Sequence, residues 1–320
     1  MISVVYGDLS FMTKFLFLIL LVIASFVAAC SNSLRHDESC PCNVKLVELQ
    51  KDGTYKLKTV RIDTLTSASQ VSSRIIEVKV NNRTPSAQFM VTSDHTIIPT
   101  TTETSELFAM YKAMEDLYKF DVAVGTNKFL RYPRIINLQT RGVRTDELTS
   151  NASYNPENDH IDVLRYGGKS IPLSMNAGII AHEHFHAISE GILHVFNKLN
   201  VQLVPEAIRE LPAGIHPSVG FNYLMLKALD EGLADFWAYI YTGVDNMMDA
   251  SYPKNLDWIS SRRVETKSEA FEPMATLRMA LNYENYEKEK KHGAFNRPIL
   301  GSLYGYGSHY SKFLRKVSDT

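Results

Sequence analysis

The octapeptide A-H-E-H-F-H-A-I, from Ala181 to Ile188, puts three histidines and a glutamate into five consecutive positions of a chain that has ten histidines in 320 residues. It lies within an apolar pattern of Ile179, Ile180, Phe185, Ile188, Ile192 and Phe196, whose spacing predicts a helix. Ser174 or Asn176 can cap its start. On an α-helix each residue turns by about 100°. With His182 at zero, His186 lies near about 40°, Glu183 near about 100° and His184 near about 200°. His182 and His186 therefore converge one turn apart, Glu183 flanks their meeting point, and His184 faces the other way. In this H-E-x-x-H arrangement two imidazoles can bind zinc while the glutamate acts on a water that the metal holds.

A catalytic zinc needs a third protein ligand and one open position. Downstream, Leu229 to Asp235 reads L-D-E-G-L-A-D within a second helical pattern running from about Phe221 to Tyr241. Glu231 and Asp235 are four residues apart, so they share a helix face. Leu229, Leu233, Ala234, Phe236, Trp237 and Ile240 make this helix largely apolar. Buried carboxylates need partners or a metal. One carboxylate as ligand and a second orienting a ligand histidine is the chemistry expected of such a pair.

The rest of the chain divides by pattern. Between about Val44 and Pro99 apolar and polar residues alternate, as in Tyr55–Val60 and Ile75–Val80, with Asp52-Gly53 and Asn81-Asn82 as turns. This predicts strands and hairpins. Leu107, Tyr111, Met114 and Tyr118 predict a helix from about Ser105. Further strands are expected over Arg134–Gln139 and Ile161–Leu164, separated by a loop rich in Asn, Ser and Pro from Ser150 to Asp159. Ser308 to Val317 reads as helix. A hydrophobic content of 45% suffices for a sizeable core, and a formal net charge of -1 does not recommend nucleic acid as a partner. The fold class expected is α+β.

H-E-x-x-H followed by E-x-x-x-D resembles the thermolysin-like zinc metallopeptidases of the gluzincin group. Asn151-Ala152-Ser153-Tyr154 and Ile171-Pro172-Leu173-Ser174 look like that family's edge strand and its lead into the active-site helix. The resemblance covers roughly Ser105 to Tyr241. It implies a two-lobed fold, with a β-rich N-terminal lobe over 44–190 ending in the zinc-binding helix and a helical C-terminal lobe over 191–320. It implies one catalytic zinc ion held by His182, His186 and Glu231, with Glu183 as general base and Asp235 holding a ligand imidazole, that of His182. Asn151 and Ala152 would bind the backbone of a peptide substrate, and Tyr223 would help stabilise the oxyanion. Structural calcium is not indicated. The sequence departs from the family in three ways. Residues 187–230 make a longer spacer than usual, with an insertion at about Glu190 to Phe221. No histidine stands in a convincing place for oxyanion stabilisation: His292 and His309 are the candidates, with Tyr304 as a substitute. Only residues 232–320 follow the third ligand, so either the helical lobe is shortened or the chain is incomplete. Together these implications predict a metalloendopeptidase; the competing expectation is an inactive metallopeptidase-like protein that serves as a binding or scaffold component.

The N-terminal segment carries an address. Lys14 precedes an apolar run from Phe15 to Val27, closed by Ala28-Ala29-Cys30. This is the build of a secretory signal over residues 1–30, and Met12 makes a better start than Met1 because Asp8 fits poorly in a positive region. The ending resembles the lipobox of bacterial lipoproteins. That resemblance implies lipidation of Cys30, export to the cell envelope, a membrane contact through the lipid, and, with Ser31 following, the outer membrane of a Gram-negative cell. Residues 31–43, which include Cys40-Pro41-Cys42, are expected as a polar tether.

Overall fold

The structure is a computed structural model that describes residues 42–50, 54–140, 152–164, 171–198, 217–248, 251 and 297–318. Among the described residues eight strands and four α-helices alternate irregularly, so the class is mixed α+β. Two four-stranded mixed sheets are present. The first has the order β2-β1-β5-β4, built from β1 (Cys42–Leu49), β2 (Tyr55–Ile62), β4 (Phe89–Val91) and β5 (Thr96–Pro99). The second has the order β3-β6-β8-β7, built from β3 (Ile76–Val80), β6 (Arg134–Gln139), β7 (Ala152–Asn155) and β8 (His160–Leu164). Period-two alternation explains β3, where Ile76 and Val78 are buried and Glu77 is half-buried. It explains β2 less well. Val60 and Ile62 enter the core, but Leu57 is exposed on an edge strand. β1 begins at Cys42, inside the segment expected as a tether.

Helix α1 (Thr102–Val124) packs against β1 and β5 of one sheet and β3 and β6 of the other. Leu107, Phe108, Met110, Tyr111, Met114 and Leu117 supply the contact, all at most 1% exposed. The Thr101 hydroxyl caps the helix by accepting from the Thr104 amide, and Gly125 ends it in the left-handed region at φ 80°. Glu115, fully buried on α1, accepts from the amides of Asp63 and Thr64 and from the Thr64 hydroxyl. A buried carboxylate so satisfied ties α1 to the chain after β2.

Helix α2 (Ala177–Lys198) carries the histidine cluster. Of the two expected caps, Asn176 does the work. Its Oδ1 accepts from the Gly178 and Ile179 amides, while its Nδ2 donates to the Met247 carbonyl and to Ser251. Ser174 instead donates to the buried Glu106 on α1. Helix α3 (Pro217–Thr242) packs along α2, and helix α4 (Arg297–Ser318) packs along α3. Gly232 and Gly307 make the last contact a backbone-to-backbone approach. A Cβ built on Gly232 would lie 2.2 Å from the Gly307 carbonyl oxygen. Among the described residues no helix is long and apolar enough to cross a membrane. The apolar run Phe15–Val27 and Cys30 lie outside the described residues.

Candidate metal centre

Two helices and one strand edge build the site. α2 presents His182, Glu183 and His186; α3 presents Asp230, Glu231 and Asp235; β7 lies beside α2. The Nε2 atoms of His182 and His186 are 3.1 Å apart. The Glu231 carboxylate reaches to 3.2 Å from His182 Nε2 through Oε2 and to 3.9 Å from His186 Nε2 through Oε1. His182, His186 and Glu231 thus form a group that could hold one metal ion. The separations suit that use. Ligand atoms about 2.0–2.1 Å from a tetrahedral centre stand about 3.3 Å from one another.

Each imidazole is fixed from behind. His182 Nδ1 meets Asp235 Oδ1 at 3.0 Å, and both side chains are 3% exposed. His186 Nδ1 meets Asp230 Oδ2 at 2.9 Å. With a carboxylate accepting at Nδ1, the proton sits there and the Nε2 lone pair points at the common centre. Burial alone would lower the His186 pKa, but Asp230 and then Glu231 more than offset it, so it is raised above 6.5. Burial in turn opposes ionisation of Asp230, and His186 followed by Lys227 outweighs it and lowers the Asp230 pKa. The Asp235–His182 contact lies where the family resemblance implies one. Asp230 was not anticipated. The only signal for it was its place one residue before Glu231, about 100° round the helix.

Glu183, 8% exposed, does not join the donor group. Its Oε2 accepts from the backbone amide of Tyr154 at 3.0 Å. That bond crosses from α2 to β7, the edge strand of its sheet. Composition alone reads Ser150–Asp159 as loop; four residues of it pair with β8 as strand, where the resemblance implied an edge strand. Ala152 opens β7 and is buried.

His184 faces away from the donor atoms, as helix geometry predicts. It is no bystander in the fold. Its Nε2 lies 2.6 Å from Asp121 Oδ2 on α1, with both side chains at most 1% exposed, and Thr126 donates to the other Asp121 oxygen. Among the remaining candidates, Asn151 and His292 lie outside the described residues. Tyr223 and Tyr304 fall on α3 and α4, but their side chains are outside the described set. His309 is on α4 and is half-buried, with an Nδ1 that has no hydrogen-bond partner among the described residues; it is not in the metal group.

Comparison with protein-family models and with curated proteins finds no match to this chain.

Proposed function

We propose that the chain is a zinc-dependent endopeptidase with a two-lobed, thermolysin-like fold, held to the bacterial cell envelope by a lipid on Cys30. One observation carries this reading. The donor atoms of His182, His186 and Glu231 converge beside a glutamate, Glu183, that is bonded to the edge of a β-sheet. Two imidazole nitrogens with one carboxylate are a zinc donor set, whereas calcium and magnesium take oxygen ligands. A zinc ion held there would supply Lewis acidity to a water and to a peptide carbonyl.

The side chains supply the rest. Asp235 and Asp230 keep His182 and His186 in the tautomer with Nε2 forward. Glu183 takes the proton from the attacking water and returns it to the leaving amine. The Tyr154 amide donates to Glu183 Oε2 and so fixes the direction in which the carboxylate points. Among the described residues β7 has a neighbour on one side only, so an extended peptide can add to it as a further strand; by resemblance Asn151 and Ala152 would bind its backbone. Tyr223 is assigned to the oxyanion by resemblance.

The test is cleavage of an unfolded protein by the wild type and by Glu183→Gln. The variant should keep its zinc and lose about 100-fold or more in rate. Equal rates in the two proteins would overturn the enzymatic reading and favour a binding or scaffold protein.

A further inference from the structure

Among the described residues Arg134 is the largest fully buried side chain, 2% exposed, and it opens β6. Its Nη1 donates to Asp159 Oδ1 at 2.6 Å. Its Nε and Nη2 have no partner among the described residues, so Asp159 is the one carboxylate bonded to this buried cation. Register brings the two together. β6 and β8 run parallel with Ile135 opposite His160, which places Arg134 opposite Asp159 one residue earlier on each strand. Asp159 closes the β7–β8 turn at φ 52°, a left-handed conformation that aspartate tolerates better than most residues.

The same Asp159 oxygen accepts from the Tyr154 hydroxyl at 3.0 Å. Burial, followed by the Asp159 charge, pushes the pKa of that hydroxyl up, so it remains a donor. Tyr154 pairs with Ile161 in the antiparallel β7–β8 ladder. Residues of such a ladder turn both backbone polar groups alternately toward and away from the partner strand. The Tyr154 amide is turned away from β8 and reaches Glu183 at 3.0 Å. One residue thus holds two bonds: its ring is tethered to the Arg134–Asp159 pair, and its backbone is aimed at the glutamate of the metal centre.

We propose that Asp159, clamped by Arg134, is a positioning residue for Glu183, acting through the Tyr154 hydroxyl to hold the outer edge of β7 against the glutamate. This rests on the reading of Glu183 as the general base. Without the hydroxyl tether β7 keeps its β8 ladder and the buried Ala152, but nothing fixes the ring of Tyr154 at its outer edge. The Tyr154 amide then drifts, and Glu183 loses the donor that aims it.

The experiment compares the full chain, wild type, with Tyr154→Phe and Asp159→Asn, measuring hydrogen–deuterium exchange, zinc content and peptide cleavage. Tyr154→Phe removes one hydroxyl and leaves the Arg134 pair intact. It should speed amide exchange in residues 152–155 by about tenfold while exchange in 160–164 and zinc content stay at wild-type values. The kcat should fall about tenfold with KM within twofold. Asp159→Asn leaves the buried Arg134 without its counter-charge and should likewise speed exchange in 152–155 and lower the kcat, with a loss of overall stability that Tyr154→Phe does not show. Unchanged exchange in 152–155 would overturn the proposal, as would faster exchange spread evenly over 160–164, which marks general loosening. So would a raised KM at constant kcat, which marks peptide docking. If the wild type cleaves nothing, the enzymatic reading fails, and the exchange measurement still decides whether Asp159 positions Glu183.

Discussion

At the residue scale, the two histidines are set by different carboxylates, and this has measurable consequences. Asp230 and Asp235 each accept from the rear nitrogen of one imidazole. Asp230→Asn and Asp235→Asn should each weaken zinc binding about 10–100-fold in a chelator competition, without removing a ligand. An unchanged affinity would show that the helix backbone alone orients the ring. The raised His186 pKa adds a pH dependence. Zinc binds the imidazole without its Nε2 proton, and a raised pKa means that protons compete from a pH above 6.5 downward. Zinc affinity should therefore fall as the pH is lowered through that region, by about tenfold per pH unit for one displaced proton. An affinity flat between pH 8 and pH 6 would contradict the assignment of His186 as a ligand.

At the element scale, the centre depends on how α3 is held against its neighbours. Gly232, next to Glu231, meets Gly307 of α4, and a Cβ built on Gly307 would lie 2.5 Å from the Ala228 carbonyl oxygen. Neither helix backbone can yield locally, so Gly307→Ala should push α4 outward and disturb α3 at Glu231. The expected result is a loss of about 1–3 kcal/mol in unfolding free energy together with weaker zinc binding. This contact could not be read from the chain, because G-L-A and G-Y-G look like ordinary helix and loop segments until the two helices are side by side. The same reason hides Asp230, whose role is fixed by a histidine 44 residues away across a helix pair. By contrast, His182, His186 and the outward turn of His184 were legible, since all three follow from a period of 3.6 residues within one helix. β6 was legible over its full length as a short run carrying Ile135, Ile136 and Leu138, although its burial does not alternate strictly, since Asn137 is buried between Ile136 and Leu138. β7 was not legible from composition because four residues bounded by Asn and Pro carry too little pattern to stand apart from a turn. Only the likeness of Asn151–Tyr154 to an edge strand pointed to it.

At the scale of the whole molecule, the tertiary contacts explain why a histidine cluster sits where it does. α2 is anchored at its start by Asn176 to the chain after α3, and on its far face by the buried His184–Asp121 pair to α1. Leaving a buried polar group without its hydrogen-bond partner typically costs about 1–3 kcal/mol. With both ends of the register fixed, the remaining face of α2 meets α3 on one side and the open edge of β7 on the other. On the proposed reading, a metal ligand from α3 and a strand-like substrate at β7 would then meet at one glutamate. On the proposed reading His182, His186 and Glu231 together hold one zinc ion. Elemental analysis of the purified chain beside Glu231→Ala measures this directly. The wild type should carry one zinc per chain, and the variant should lose most of it. Zinc retained in full by Glu231→Ala, or absent from the wild type, would contradict it.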